Sequence, residues 1–484
     1  MSTEYNKYET VIGLEIHVQL NTLSKAYCSD STTYGSSPNT HVSAISLGHP
    51  GTLPVSNKKV VEYAVRLGLA LHCDIRETNE YARKNYFYAD LPKGYQITQD
   101  KTPICDGGFI NISDKEGKLK KIELTRIHME EDAGKSIHDI DPFESLIDLN
   151  RAGVALLEIV SEPVLRSGEE AYSFVTEVRK LVRYLDICDG NMEEGSMRCD
   201  ANISVRLKGE TDLRNRVEVK NMNSIRNVQK AIELESKRQI EVYENGGHVY
   251  QETRNYLAAK NETSLLRSKE DAHDYRYFPE PDLSPVLVKK DYIENIKASL
   301  PALPEELYQK YTHEFGLSDY DAKNLTDTKA IALYYNQIAA FTKEYKMAVN
   351  ILMGPLKSYL NENAISIDEL DLKANRIAEM IRLIKEDKIG HSKAAKELFP
   401  LLIEYPEISA LTLAETNNLI QESNSDALLD IIQVAIDKFP EKARAYKDGN
   451  KNLLGLFMGE VMKLSKGKAD PKVTNQLIRQ ELEK

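Results

Sequence analysis

A chain of 484 residues with 41% hydrophobic and 29% charged residues and no tryptophan reads as a soluble globular protein of about three domains. No apolar run is long enough to span a bilayer, and nothing at the N-terminus marks export or import. The five cysteines lack paired spacing, so membrane and disulfide-framework classes are excluded and a cytoplasmic location is expected. The net charge of −12 argues against wholesale coating of nucleic acid, because phosphate neutralisation supplies most of that affinity, and leaves only local basic patches for it.

The first predicted strand contains GLEIHVQL, in which Leu14, Ile16, Val18 and Leu20 share one parity and Glu15, His17 and Gln19 the other. A strand sends alternate side chains to opposite faces, so Glu15 and His17 project together from the side away from the core. In IELTRIHMEEDAGKS, Ile122 and Leu124 are apolar at even positions and Ile127 and Met129 at odd ones, which predicts a bulge near Thr125 and Arg126. This pattern leaves open whether Glu130 or Glu131 faces the acids. The segment ends in GKS like a phosphate-binding loop, but Met129 stands where that loop needs its first glycine, so Lys135 takes no Walker role.

Further along, Glu158 and Glu162 share parity in LLEIVSEP. In RCDANISVRL, Arg198, Asp200, Asn202, Ser204 and Arg206 line one face, and RVEVK places Arg216, Glu218 and Lys220 together. Any one of these faces could simply be the solvated side of an antiparallel sheet. Asp and Asn are poor strand formers, however, and their use in several strands points to a shared cradle with acids at its floor. A cluster of Glu15, His17, one of Glu130 and Glu131, Glu158 and Asp200 would repel itself without a cation. Oxygen ligands suit Mg2+, and the histidine also admits Mn2+.

After about residue 293 the texture becomes helical, with apolar residues three and four apart in NRIAEMIRLIKED, SDALLDIIQVAIDKF and NLLGLFMGEVMKL. The expected fold class is α+β and multidomain: a mainly antiparallel-sheet cradle domain over 1–292, an all-helical domain over 293–407 and a small helical tail over 408–484. From Ala445 to Lys484 there are eight Lys and Arg against five Asp and Glu, so the tail is basic within an acidic chain.

Seven ordered motifs, YETVIGLEIHVQLNT, RKNYFYADLPKGYQIT, HMEEDAGKS, DLNRAGVALLEIVSEP, MEEGSMRCDANISVR, VEVKNMNS and DYRYFPEPDL, resemble the B subunits of tRNA-dependent amidotransferases, and the tail segment GEVMKLSKGKADPKVTNQLI resembles their C-terminal domain. The resemblance implies a kinase-type cradle, a helical domain and a tail that grips the outer corner of tRNA. It implies a ligase that phosphorylates the side-chain carboxylate of Glu-tRNA(Gln) or Asp-tRNA(Asn) with ATP and then replaces phosphate by ammonia. The ammonia would come from a glutaminase A subunit, with a small C subunit completing a heterotrimer.

Carried over by position, Glu15, His17, Glu131, Glu158 and Asp200 match the family's metal-site residues, so the resemblance selects Glu131 of the pair. Arg198 and Lys220 are the cations expected to assist phosphoryl transfer. Lys463, Lys466, Lys468 and Lys472 are expected to contact tRNA phosphates. Many relatives carry four zinc-binding cysteines where this chain has Cys28, Asp30, Ser43 and Ser46. One thiolate cannot make a structural zinc site, so no zinc is expected and packing alone must order the loop. Arg83, Tyr86 and Tyr88 either clasp the tRNA acceptor end or pack their own hairpin.

Two other readings compete. Acids around divalent ions also hydrolyse phosphate esters, and a tRNA-holding scaffold could use them for a structural ion. The chain has no G-x-C-x-G glutaminase motif and should be inactive on glutamine by itself. Residues alone do not choose between Glu-tRNA(Gln) and Asp-tRNA(Asn).

Overall fold

The computed structural model describes residues 5–483 apart from 114–116, 139, 269–274, 422–424 and 466–468. The chain divides into two compact units, Met1–Leu303 and Pro304–Lys484, and is α+β. No helix among the described residues is long and apolar enough to cross a membrane.

The first unit is built on a ten-stranded sheet. Its strands are β1 (Tyr8–Gln19), β2 (Asp74–Ile75), β3 (Cys105–Asp106), β4 (Phe109–Ser113), β5 (Leu119–Glu131), β6 (Ala155–Ser161), β7 (Met197–Leu207), β8 (Val217–Lys220), β9 (Glu252–Leu257) and β10 (Glu262–Ser268). Their order across the sheet is β10-β9-β8-β7-β1-β6-β5-β3-β2, with β4 also paired to β5. All pairs are antiparallel except β8 with β9.

One face of this sheet is covered by α1 (Lys58–Ala70), α2 (Gly168–Tyr184) and α3 (Ile225–Glu244), whose Leu67, Phe174, Val178 and Val228 share a core with Leu14, Ile16 and Val18 of β1. The apolar parity of β1 is therefore the buried one. Each helix begins on a polar side chain that takes an otherwise orphaned backbone N–H: Asn57 accepts from Lys59, Ser167 from Glu170 and Ser224 from Asn227. Such a cap contributes about 1 kcal/mol. Gly68 lets α1 lie against the sheet, since a Cβ there would stand 2.5 Å from the Cys105 sulfur.

The bulge falls where parity slips. Arg126 pairs with Val160 and Leu124 with Ser161, so Thr125 is the surplus residue of β5.

The helical texture that starts near residue 293 begins inside the Lys290–Ser299 helix, and that helix belongs to the first unit. Ile296 lies in its core, and Leu300 and Leu303 pack against it. The second unit is helical from Pro304 onward. Toward its end, the Ser425–Lys438, Leu454–Leu464 and Pro471–Glu483 helices close around Leu428, Ile432, Phe457, Val461, Ile478 and Leu482.

Candidate active site

On the face away from the helices, the register of β1 with both neighbours sets Glu15 opposite Asp200, and His17 opposite Glu158 on one side and Arg198 on the other. His128 of β5 lies opposite Glu158, and Glu218 of β8 opposite Asn202. Two groups result. His17 Nε2 is 3.3 Å from Glu158 and 3.8 Å from Glu130, with His128 Nε2 also 3.3 Å from Glu158. Glu15, Asp200 and Glu218 form the other. Within each triad, His17/Glu130/Glu158 and Glu15/Asp200/Glu218, the candidate ligand atoms lie within 4.8 Å of one another.

The electrostatics are those of crowded acids. Burial, followed by the charge of Glu158, raises the Glu15 and Glu130 carboxyls above the ordinary carboxylate range. Burial acts on Glu158 in the same sense, but the His128 and His17 rings outweigh it and hold its carboxyl well below that range. Burial disfavours a charged His17, yet its bond to Glu158 and the nearby acids push it up to about 9. The second group is offset only in part by Lys220, whose ammonium lies 2.6 Å from Asp200 and 2.8 Å from Glu218. Asn202 donates to Glu15 at 2.8 Å. Three carboxylates suit a hard divalent cation, and two carboxylates with an imidazole suit one that also accepts nitrogen.

Glu15, His17, Glu158 and Asp200 are thus brought together, and Glu131 is not. Beyond the bulge, Ile127, Met129 and Glu131 take the core side of β5, and His128 and Glu130 take the acid side. Glu131 is ion-paired with Lys93 and accepts the Ile97 N–H at 2.8 Å, so Glu130 stands in the place given to Glu131. Glu162 is also apart, accepting from Thr125. Sequence reasoning missed His128 and Lys84, whose ammonium is 4.0 Å from Glu130, and gave Glu218 no role although its parity placed it on the right face.

Arg198 and Asp200 border a cleft of about 670 Å3 at the ends of β1, β7 and β8, whose other walls include Tyr34, Lys135, Arg151 and Asn223. Lys135 therefore lines a cavity, although its segment forms a strand and not a phosphate loop.

The loop carrying Cys28, Asp30, Ser43 and Ser46 is ordered by more than packing. Ser46 donates to Asp30, the Ser43 N–H donates to Asp30 at 2.8 Å, and Cys28 and Ser46 are bonded at 3.3 Å. Beneath them the Lys25 side chain, 0% exposed, donates to His41 O at 2.6 Å, Leu149 O at 3.3 Å and Ser46 at 3.4 Å, and lies 4.0 Å from Asp30.

Arg83 is committed to its own small sheet, whose outer strand is Phe278–Pro279. It grips Glu280 through two nitrogens at 2.7 and 2.9 Å and lies over Tyr95. Tyr86 packs edge-on against Tyr88 and Tyr275 at 5.7 and 6.0 Å, while Tyr88 stays largely exposed. In the second unit Lys463 and Lys472 are exposed, and Lys466 and Lys468 lie outside the described residues.

Comparison with known proteins shows the family. A GatB/GatE catalytic domain profile matches residues 10–294, and a GatB domain profile matches residues 333–482. The B subunit of the aspartyl/glutamyl-tRNA(Asn/Gln) amidotransferase of Thermoanaerobacter pseudethanolicus is 47% identical over 99% of this chain and 100% of its own length. Proteins of the same description from Thermodesulfovibrio yellowstonii and Paramagnetospirillum magneticum are each 46% identical, over 98% and 99% of this chain and 98% of their own lengths. The chain belongs to the GatB family, the B subunits of the tRNA-dependent amidotransferases that amidate misacylated Glu-tRNA(Gln) and Asp-tRNA(Asn).

Proposed function

We propose that the acid face of the first unit is where the misattached Glu or Asp side chain is activated with ATP before ammonia replaces the phosphate. The observation that carries this is the pair of cation-holding groups on one sheet face beside a cleft of nucleotide size. A carboxylate is a poor electrophile. Transfer of the γ-phosphoryl group to its oxygen releases ADP and gives an acyl phosphate, and ammonia attack then expels phosphate and leaves the amide.

In this reading Glu15, Asp200 and Glu218 hold Mg2+, and His17, Glu130 and Glu158 hold a second ion, Mg2+ or Mn2+. Such ions neutralise the oxygens of a phosphoryl group in transfer. Lys220 supplies positive charge beside Asp200, and Arg198 presents its guanidinium to the cleft. Before an ion binds, Glu158, kept ionised, accepts from His17 Nε2 and fixes its ring, and the ion would take the place of that proton.

Ammonia comes from a glutaminase A subunit, with a small C subunit completing the heterotrimer. Lys463, Lys466, Lys468 and Lys472 hold tRNA through its phosphates, and each loss lowers the salt dependence of binding by about one unit of slope.

The test combines the assembled complex with labelled ATP and mischarged tRNA. Formation of ADP that depends on that tRNA, and is lost in Asp200→Ala and Glu158→Ala, supports the reading. Phosphate release without aminoacylated tRNA would favour a phosphoesterase, and full turnover in both variants a scaffold.

A further inference from the structure

Two imidazoles meet the same oxygen of Glu158. His17 Nε2 and His128 Nε2 each lie 3.3 Å from Oε2, one reaching it from β1 and the other from β5, the strands on either side of β6. The chemistry above gives His17 an ion to hold and gives His128 nothing.

The two rings differ in access. The His17 side chain is 18% exposed and the His128 side chain 4%. The triad whose ligand atoms lie within 4.8 Å of one another, His17/Glu130/Glu158, leaves His128 out. His128 Nδ1 is buried and has no hydrogen-bond partner among the described residues. An N–H there would be stranded, which assigns the ring's N–H to Nε2, facing Glu158.

The strand holds that ring still. His128 lies directly opposite Glu158 in the register. From the core side, the buried amides of Gln99 and Gln96 anchor the backbone just beyond it: Gln99 accepts the Met129 N–H at 3.0 Å, and Gln96 donates to Glu131 O at 2.6 Å.

A carboxylate that holds an ion keeps its orientation through a hydrogen bond on its outer side, and losing such a partner costs about ten- to hundredfold in ion affinity. Once His17 turns its nitrogen lone pair to an ion, its bond to Glu158 is given up. His128 is then the imidazole that still donates.

We propose that His128 is a positioning residue of the ion-holding group: its Nε2–H keeps the Glu158 carboxylate in place while His17 exchanges its own bond to that carboxylate for a divalent ion. The inference rests on the ion assignment made above and adds how one of its ligands is held.

The experiment uses the assembled complex with Mn2+ alone, without ATP or tRNA. Electron paramagnetic resonance measures free Mn2+ and hence affinity, and its pulsed form counts the nitrogens coupled to bound Mn2+. The His17 group supplies a nitrogen, whereas Glu15, Asp200 and Glu218 supply oxygen only, so loss of coupling in His17→Leu assigns the signal. His128→Leu should weaken the nitrogen-coupled site by about ten- to hundredfold, spare the oxygen-only site and keep the coupling at saturating Mn2+. His128→Gln, whose amide N–H reaches about as far as Nε2, should recover part of the affinity, and the shorter His128→Asn should not. His128→Asn serves if His128→Leu does not fold.

Unchanged affinity of the nitrogen-coupled site in a folded His128→Leu or His128→Asn variant would overturn the inference. So would a fall in the number of coupled nitrogens, which would make His128 a ligand itself, or equal weakening of both sites without recovery in His128→Gln, which would make it a support of the fold. Absence of nitrogen-coupled Mn2+ in the unaltered complex would instead overturn the ion assignment.

Discussion

Two regions of the first unit bury charge, and they do it in opposite ways. Around Lys25 every charge has an answer: one ammonium, one nearby carboxylate, and carbonyl and hydroxyl oxygens that take up the remaining donors. On the acid face the anions exceed their partners. Glu15, Glu130, Glu158, Asp200 and Glu218 share Lys220, Lys84 and two imidazoles, and Glu15 and Glu130 are pushed toward protonation as a result. A buried ion that is matched and hydrogen-bonded serves the fold, whereas an unbalanced set stores repulsion that an incoming cation relieves. The contrast separates a structural region from a site by charge balance alone.

The largest effect that would test this contrast is on the unbalanced side. Asp200→Ala should cut tRNA-dependent ADP formation by about a thousandfold, on the scale of losing a group that stabilises transition-state charge, with the urea midpoint kept. Retained turnover would break the contrast.

Next, Lys25→Met should cost about 3 kcal/mol of stability in urea unfolding, because it strands Asp30 and two buried carbonyls, with little change in kcat below the melting range. The neighbouring pair Glu130 and Glu131 is the sharper instrument, since the two lie one residue apart on opposite faces. Glu130→Gln should lower kcat by about a hundredfold, whereas Glu131→Gln should lower stability by about 2 kcal/mol and spare turnover. Steady-state rates beside urea curves for both would show the exchange of roles or its absence.

The smallest effect concerns acid pH. Burial would raise the Asp30 carboxyl, but donors from Ser46 and Ser43 outweigh it and hold the carboxyl below its ordinary value. A depressed carboxyl contributes stability that is present above its unfolded value and is lost as pH falls through the folded one. Urea midpoints taken between about pH 5 and about pH 2.5 should therefore fall less in Asp30→Asn than in the unaltered chain.

Parity within single strands was legible in the residues. Leu14, Ile16 and Val18 point into the core, which leaves Glu15 and His17 on the other side. The slip that marks Thr125 was legible too, but the pattern left Glu130 and Glu131 open, and it is the structure that sets Ile127 and Met129 on the core side and Glu130 among the acids. Positional likeness to relatives had selected Glu131.

Convergence across strands was not legible, because a strand's own residues do not name its neighbours. Glu218 joins Asp200 only because β8 lies beside β7. Lys25 and Asp132 were further from reach. Their partners at Leu149, Arg151 and Arg198 arrive from loops and strands far along the chain, and loop closure leaves no periodic trace.

Thr125 has a consequence for engineering. Everything in β5 downstream of it is oriented by one surplus residue, so excising Thr125 would rotate that stretch by half a pleat. Met129 would then face the acids, and the imidazole of His128 would turn into the apolar layer. A deletion that removes no ligand would thus take Glu130 and His128 out of the site, so recombination crossovers in designed chimaeras belong outside residues 119–131.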